Sequence, residues 1–230
     1  NMDNSIKQIK LLDCTLRDGS YANNFTFTKE DTSKIVGRLD ELGFDYIEVG
    51  HGIGLGASVS TEFKAVATDV EYMQAAARSI DKSKWGMFCI PGVATLDDVR
   101  SAADNGMDFI RIGSDLNNVS KAIEFIDLSQ RLGLEVLVNF MKSYVVTPEV
   151  FSETSAKVID HGVELIYLVD SSGSMLPDEI QKYIQVFYEK HPETKLGFHG
   201  HNNLGLSVYN SLLCVQEGVN LIDTTIQGFG

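Results

Sequence analysis

The sequence predicts a closed (β/α)8 TIM barrel, and three observations carry that reading. Eight short apolar, β-branched runs are spread along 230 residues, with room for a helix in each gap. Five gaps close on a glycine followed by an apolar residue and then the next run. Polar and ionisable residues gather just beyond the runs, on the rim where such barrels place their chemistry.

The first run is Lys10–Thr15. A helical stretch follows in which Ile35, Val36, Leu39 and Leu42 share one face, and it closes at Gly43-Phe44. Tyr46–Gly50 and Trp85–Ile90 are the second and third runs. Thr95 before Asp97-Asp98 caps the next helix, which ends at Gly106-Met107. Phe109–Gly113 comes fourth, and its helix closes at Gly133-Leu134 ahead of Glu135–Phe140. Thr147 before Pro148-Glu149 opens a helix that ends at Gly162-Val163, leading into Leu165–Asp170. Lys195–His201 is seventh, and Gly218-Val219 precedes the eighth, Leu221–Gln227. Gaps of this length suit parallel neighbours joined by crossover helices. An open doubly wound sheet is the alternative. No linker divides residues 1–230, so one catalytic domain is expected. The chain stops soon after the eighth run, so the barrel is expected to be truncated and the natural protein to continue.

Composition narrows the function. A net charge of −13 with no basic cluster excludes a nucleic-acid partner, because nothing would release phosphate counterions. No apolar run approaches the length that spans a bilayer, so no membrane partner is expected. Cys14, Cys89 and Cys214 are odd in number and widely spaced, which fits buried thiols in a reducing cytoplasm.

The strand ends concentrate the chemistry. His199 and His201 stand at i and i+2 on one strand, so both imidazoles face the barrel mouth. Two neutral imidazoles with one carboxylate make a recurrent divalent-metal site, and Asp18 lies in the loop after strand one, which closure brings near strand seven. A hydrogen-bonded His pair is the other reading. Arg17 either bridges the mouth as an ion pair or holds an anionic oxygen. Asp170-Ser171-Ser172-Gly173 can be a turn and helix cap only. Gly52-Ile53-Gly54-Leu55-Gly56 has the wrong spacing and follows the wrong strand for a dinucleotide fingerprint, and is expected to be a mobile loop over the mouth.

Together these strand ends resemble the DRE-TIM metallolyases, the superfamily of HMG-CoA lyase, isopropylmalate synthase and the 4-hydroxy-2-oxovalerate aldolases. Asp13-x-Thr15-Leu16-Arg17-Asp18-Gly19 is similar to the strand-one signature, and His199-Gly200-His201-Asn202-Asn203-x-Gly205 to the HxH motif of strand seven. Ile47-Glu48-Val49-Gly50-His51-Gly52-x-Gly54-Leu55 and Asp170-Ser171-x-Gly173 resemble the oxovalerate aldolases in particular. The resemblance implies Asp18, His199 and His201 as ligands of a divalent metal, Mn²⁺ or Mg²⁺ first and Zn²⁺ or Co²⁺ next. It implies Arg17 as the group that stabilises an enolate oxygen, with Asp170 and Ser171 beside the substrate. The implied substrate is a small 2-oxo acid, and the superfamily's habit implies a homo-oligomer. One position departs: the aldolases carry a catalytic histidine three residues after the metal aspartate, and Tyr21 stands there. A phenol is a poor base at neutral pH. Either Tyr21 orients the substrate, or His51 or a metal-bound water transfers the proton, or the reaction differs; His51, at the end of strand two, is expected to share the role.

The expected function is a metal-dependent aldolase acting on a 4-hydroxy-2-oxo acid through a pyruvate enolate. A Claisen-type synthase joining an acyl-CoA to a 2-oxo acid is second; release of pyruvate against release of CoA separates the two. A catalytically silent barrel used as a binding module predicts no metal-dependent turnover. A sugar-phosphate enzyme on the same fold leaves the HxH pair unexplained.

Overall fold

The computed structural model describes residues 9–59 and 62–230, in which eight parallel strands close into one barrel in chain order. β1 (Lys10–Asp13), β2 (Tyr46–Val49), β3 (Lys84–Cys89) and β4 (Phe109–Asp115) build half of the wall. β5 (Glu135–Met141), β6 (Leu165–Asp170), β7 (Lys195–Gly200) and β8 (Leu221–Thr224) build the other half. The ladder from Lys10–Leu221 to Asp13–Thr224 joins β8 back to β1, which rules out the open sheet. The crossovers are α1 (Lys29–Leu42), α2 (Asp69–Ser79), α3 (Leu96–Asp104), α4 (Ser120–Arg131), α5 (Pro148–Ile159), α6 (Pro177–Lys190) and α7 (Ser207–Gln216). None of the described helices is long and apolar enough to cross a membrane.

Local chemistry sets the element ends. Thr28, Thr68 and Thr95 each form a capping box with the acid three residues on, and Thr147 caps α5 ahead of Pro148. Gly43, Gly106, Gly133, Gly162 and Gly218 all take the left-handed conformation, with φ between 82° and 93°. Strand ends are less regular than the apolar runs suggest. β1 stops at Asp13, short of Thr15, because the Asp13 carboxylate accepts from the Thr15 N–H and hydroxyl, each at 3.0 Å. β7 stops at Gly200, where the His201 N–H turns to the Asp170 carbonyl at 3.2 Å. β8 ends at Thr224 rather than Gln227, and a 3₁₀ turn follows over Ile226–Gly228.

Alternation along each strand separates two cores. Side chains such as Ile47, Ile110, Ile166 and Phe198 pack outward against the helices. Leu12, Tyr46, Phe109, Leu137, Leu165 and Leu221 point inward and fill the lower barrel. Gly197 makes room for that filling: a Cβ there would sit 2.7 Å from the Tyr167 ring.

Asp40, only 6% exposed, ties α1 to the turn before β3. It accepts from the N–H groups of Asp81, Lys82 and Ser83 at 3.2, 2.9 and 2.6 Å. Burial opposes its charge, but these donors outweigh it and lower its pKa to about 2. A depressed folded pKa gives stabilisation that is complete above the unfolded value of 3.8 and is lost as pH falls toward about 2. Asp40→Asn is expected to cost about 1–3 kcal/mol at neutral pH. Urea titrations repeated at falling pH check both points: the deficit shrinks below about pH 4.

Candidate metal and substrate site

The loop after β1 is a rigid mount. The Asp18 N–H donates to the Cys14 carbonyl at 2.8 Å and the Ser20 hydroxyl to the Arg17 carbonyl at 2.7 Å, closing a 3₁₀ turn over Asp18–Tyr21. Arg17 and Asp18 are consequently buried at the mouth, 6% and 7% exposed. From β7, His199 and His201 reach the same point. The Asp18 Oδ2 atom lies 3.6 Å from His199 Nε2 and 3.7 Å from His201 Nε2, and the two Nε2 atoms are 3.3 Å apart. These three side chains together could hold a metal ion.

Beneath them the barrel is polar. Glu48 from β2, Arg111 from β4, Tyr167 from β6 and Asp223 from β8 point inward from the four even strands, a level usually filled by branched aliphatics. Arg111, fully buried, donates to Glu48 Oε1 at 2.8 Å and Oε2 at 2.5 Å, makes a short ion pair with Asp223 and lies 4.8 Å from the Tyr167 ring centre. Glu48 also accepts from Arg17 Nε at 2.7 Å, and Arg17 Nη1 donates to Asp18 at 2.7 Å. On the other side, Asp223 Oδ2 meets His199 Nδ1 at 2.6 Å. A continuous chain of contacts thus runs from Asp18 through Arg17, Glu48, Arg111 and Asp223 to His199.

That chain sets the charge states. Burial would raise the Asp18 pKa, but Arg17 and the two imidazoles overcome it and lower it to about 2. Burial also opposes the charge of Glu48, and Arg111 with Arg17 holds it ionised. Asp223 is kept low against burial by Arg111 and His199. Burial raises the Tyr21 phenol, so it stays protonated at neutral pH.

The other expected residues divide. Tyr21, 51% exposed, and Ser171 both line a cleft of about 370 Å³ that also contains Arg17, Asp18, His199 and His201. His51 is not brought there. It is 1% exposed, stacks on Phe25 at 4.2 Å, contacts the Phe63 carbonyl through Nε2 at 2.6 Å and accepts from the Ile53 N–H through Nδ1 at 3.1 Å. Both ring nitrogens are occupied, and burial lowers its pKa, so it serves as a neutral loop pin. Asp170 is engaged by its own turn: Oδ1 accepts from Ser174 N–H and Ser172 hydroxyl at 3.2 Å each, and Oδ2 from Met175 N–H at 3.1 Å, while its charge still acts on His201. The turn-and-cap alternative describes it. The Gly52–Gly56 stretch is packed rather than a free lid: Leu55 is fully buried, and a Cβ on Gly54 would sit 2.4 Å from the Phe88 carbonyl.

With the geometry in place, comparison with known proteins is direct. The family model described as HMGL-like matches residues 8–230. The chain belongs to the HMGL-like family. It is 37% identical over 220 residues to an oxaloacetate decarboxylase of Mycobacterium tuberculosis, covering 96% of this chain and 65% of that protein. It is 36% identical over 226 residues to a 4-hydroxy-2-oxovalerate aldolase of Pelotomaculum thermopropionicum, covering 98% and 66%. The chain therefore spans slightly less than two thirds of these relatives' length. Among solved structures, the N-terminal domain of an aldolase candidate from Bacteroides vulgatus superposes with a TM-score of 0.81 at 30% identity, covering 96% of this chain and 74% of that one. The carboxyl transferase domain of Rhizobium etli pyruvate carboxylase, with pyruvate and biocytin, shares the HMGL-like chain's fold at TM-score 0.84 and 17% identity, covering 98% and 41%.

Removing Arg111 would leave Glu48 and Asp223 buried beside each other without their shared cation. Arg111→Met is expected to destabilise this HMGL-like barrel by about 3–5 kcal/mol. Chemical denaturation followed by circular dichroism measures the loss; a cost below about 1 kcal/mol would show that the polar layer does not hold the barrel together.

Proposed function

We propose that this barrel carries the metal centre of a carbon–carbon lyase that acts on a 4-hydroxy-2-oxo acid and releases pyruvate. The observation that supports it most is the convergence of Asp18, His199 and His201 beside the buried Arg17. The donor set fits a divalent cation. Ligand atoms on adjacent corners of an octahedron with bonds of about 2.1 Å stand about 3 Å apart, close to the 3.3–3.7 Å separations here. Two imidazoles and a carboxylate suit Mn²⁺, Mg²⁺ or the neighbouring transition metals.

Asp18, His199 and His201 would hold the ion, which when bound supplies Lewis acidity toward a 2-oxo acid. Asp223 fixes the His199 ring through Nδ1, leaving Nε2 as the free donor atom. Arg17 is clamped by Glu48 and Asp18, so its remaining N–H groups are preorganised for an oxygen that gains negative charge as the bond breaks. Ser171 and the protonated Tyr21 offer hydroxyls at the cleft wall that orient the substrate.

Tyr21 also favours a second reading. Aldol cleavage must take a proton from the substrate hydroxyl, which this phenol does not do readily at neutral pH, whereas loss of CO₂ from a 2-oxo dicarboxylate needs no such base. The M. tuberculosis relative carries the name of that activity. Both reactions leave pyruvate enolate; the co-product, aldehyde or CO₂, separates them. Free CoA released from an acyl-CoA would instead indicate the synthase.

Pyruvate formation by metal-loaded protein, measured with a coupled lactate dehydrogenase assay, is the direct test. Asp18→Asn is expected to abolish turnover and Mn²⁺ binding together. Arg17→Met is expected to keep Mn²⁺ and lower kcat by roughly 10²–10³-fold. Asp223→Asn is expected to weaken Mn²⁺ affinity by about 10–100-fold, read by electron paramagnetic resonance. Undiminished turnover in Asp18→Asn would sink the proposal.

A further inference from the structure

The loops that follow β1 and β2 meet in one aromatic cluster at the edge of the cleft. Tyr21 is its outer member. It is half exposed and lines the cleft, and none of the described residues hydrogen-bonds its hydroxyl. A side chain so exposed ordinarily samples several rotamers. Contacts on two sides restrict this one. Its ring lies on the backbone of Gly52, where a Cβ would come within 2.8 Å of it. Across it stands the Phe25 ring, with centres 5.3 Å apart and planes at 68°.

Phe25 is held there in a strained conformation. Asn24 and Phe25 both lie in the left-handed region, with φ of 54° and 59°. Asparagine tolerates that region, but a bulky residue rarely adopts it. Such strain persists only where the surroundings impose it. Here the Phe25 N–H donates to the Ser20 carbonyl at 2.8 Å, and the Phe25 carbonyl accepts from the Val66 N–H at 3.3 Å. Phe63 meets the ring edge-on at 6.0 Å. The closest ring is His51, stacked on Phe25 at 4.2 Å with planes 14° apart. His51 cannot turn away, because the Phe63 carbonyl and the Ile53 N–H occupy its two nitrogens.

Loop closure alone does not account for the residue chosen. The two backbone bonds need no side chain, and glycine would make them with the least strain. What the strained backbone adds is an aromatic ring between an immobile imidazole and the phenol. Behind that wedge, the Tyr21 hydroxyl is near enough to Arg17 and Asp18 for both charges to act on it.

We propose that Phe25 and His51 are positioning residues that hold Tyr21 in one orientation, so that its hydroxyl stands beside Arg17 as a second fixed donor to the substrate. The inference rests on the 2-oxo acid centre proposed above. Neither Phe25 nor His51 touches the substrate; both act through the phenol. A side chain ordered in advance loses no rotamer freedom on binding, which favours affinity.

Fluorotyrosine placed at position 21 reports on the ring without metal or substrate. Its ¹⁹F resonance is expected to be displaced from that of free fluorotyrosine by the Phe25 ring. It should move toward the free value in Phe25→Leu and in His51→Leu, and stay in place in Phe25→Tyr. An unmoved resonance in Phe25→Leu overturns the positioning role. Pyruvate formation by the Mn²⁺-loaded protein then separates positioning from general packing. Phe25→Leu is expected to raise KM about three- to tenfold with kcat within about twofold. Once Tyr21→Ala has removed the phenol, Phe25→Leu should have no further effect. Equal penalties in the two backgrounds mean that Phe25 only packs the loop, and they too overturn the proposal. Unchanged Mn²⁺ affinity, read by electron paramagnetic resonance, shows that the variants are folded. A parent protein that gives the expected resonance but forms no pyruvate refutes the 2-oxo acid centre, and with it the donor role, while the aromatic clamp on Tyr21 stands.

Discussion

The arrangement depends on Arg111 being buried between two carboxylates at the centre of the barrel. A guanidinium at 0% exposure is tolerable only if its charge and its donors are both answered, and Glu48 of β2 and Asp223 of β8, across the barrel from β4, answer them. Each carboxylate then has a further task. Glu48 reaches Arg17, which in turn holds Asp18, while Asp223 reaches His199. The same contacts that neutralise the interior therefore orient two of the three side chains that converge at the mouth. A ligand set mounted on loops alone would not be fixed in this way.

Position along the strands explains why the polar layer lies just under the rim. The inward residues of the even strands read Tyr46, Phe109, Leu165 and Leu221 at the lower level and Glu48, Arg111, Tyr167 and Asp223 two residues later. The lower level is aromatic and aliphatic and closes the barrel bottom. The next level carries charge to within contact of Arg17 and His199. The lower level thus contributes packing, while the polar level one step above it serves both stability and the orientation of Arg17 and His199.

Much of this was legible in the sequence, and the misses follow a pattern. The barrel, the five glycine-closed helices and the three groups that meet at the mouth could be read because each rests on a local signal: an apolar run, a glycine at a helix end, two histidines at i and i+2. Glu48, Arg111 and Asp223 went unassigned, although their signal was present. Tyr46-Ile47-Glu48, Phe109-Ile110-Arg111, Leu165-Ile166-Tyr167 and Leu221-Ile222-Asp223 are the same strand phrase four times over, with the third place polar. Only the alternation of even strands in a closed barrel shows that these third places face one another. His51 and Asp170 show the opposite case. Both lie at strand ends, where chemistry is expected, but the backbone at those ends is itself short of hydrogen-bond partners. His51 took the Ile53 N–H, and Asp170 took the turn into α6.

Charge balance at the mouth shows how an acidic chain can offer a local site to the anionic 2-oxo acid proposed above. The buried network contains three carboxylates, Asp18, Glu48 and Asp223, and two guanidiniums, Arg17 and Arg111, so it carries one net negative charge while its imidazoles are neutral. A divalent cation would turn that into one net positive charge, and a monoanionic 2-oxo acid would then bring it to zero. In a low-dielectric pocket such local balance outweighs the chain's total of −13, much of which lies on the exposed surface where solvent and salt screen it.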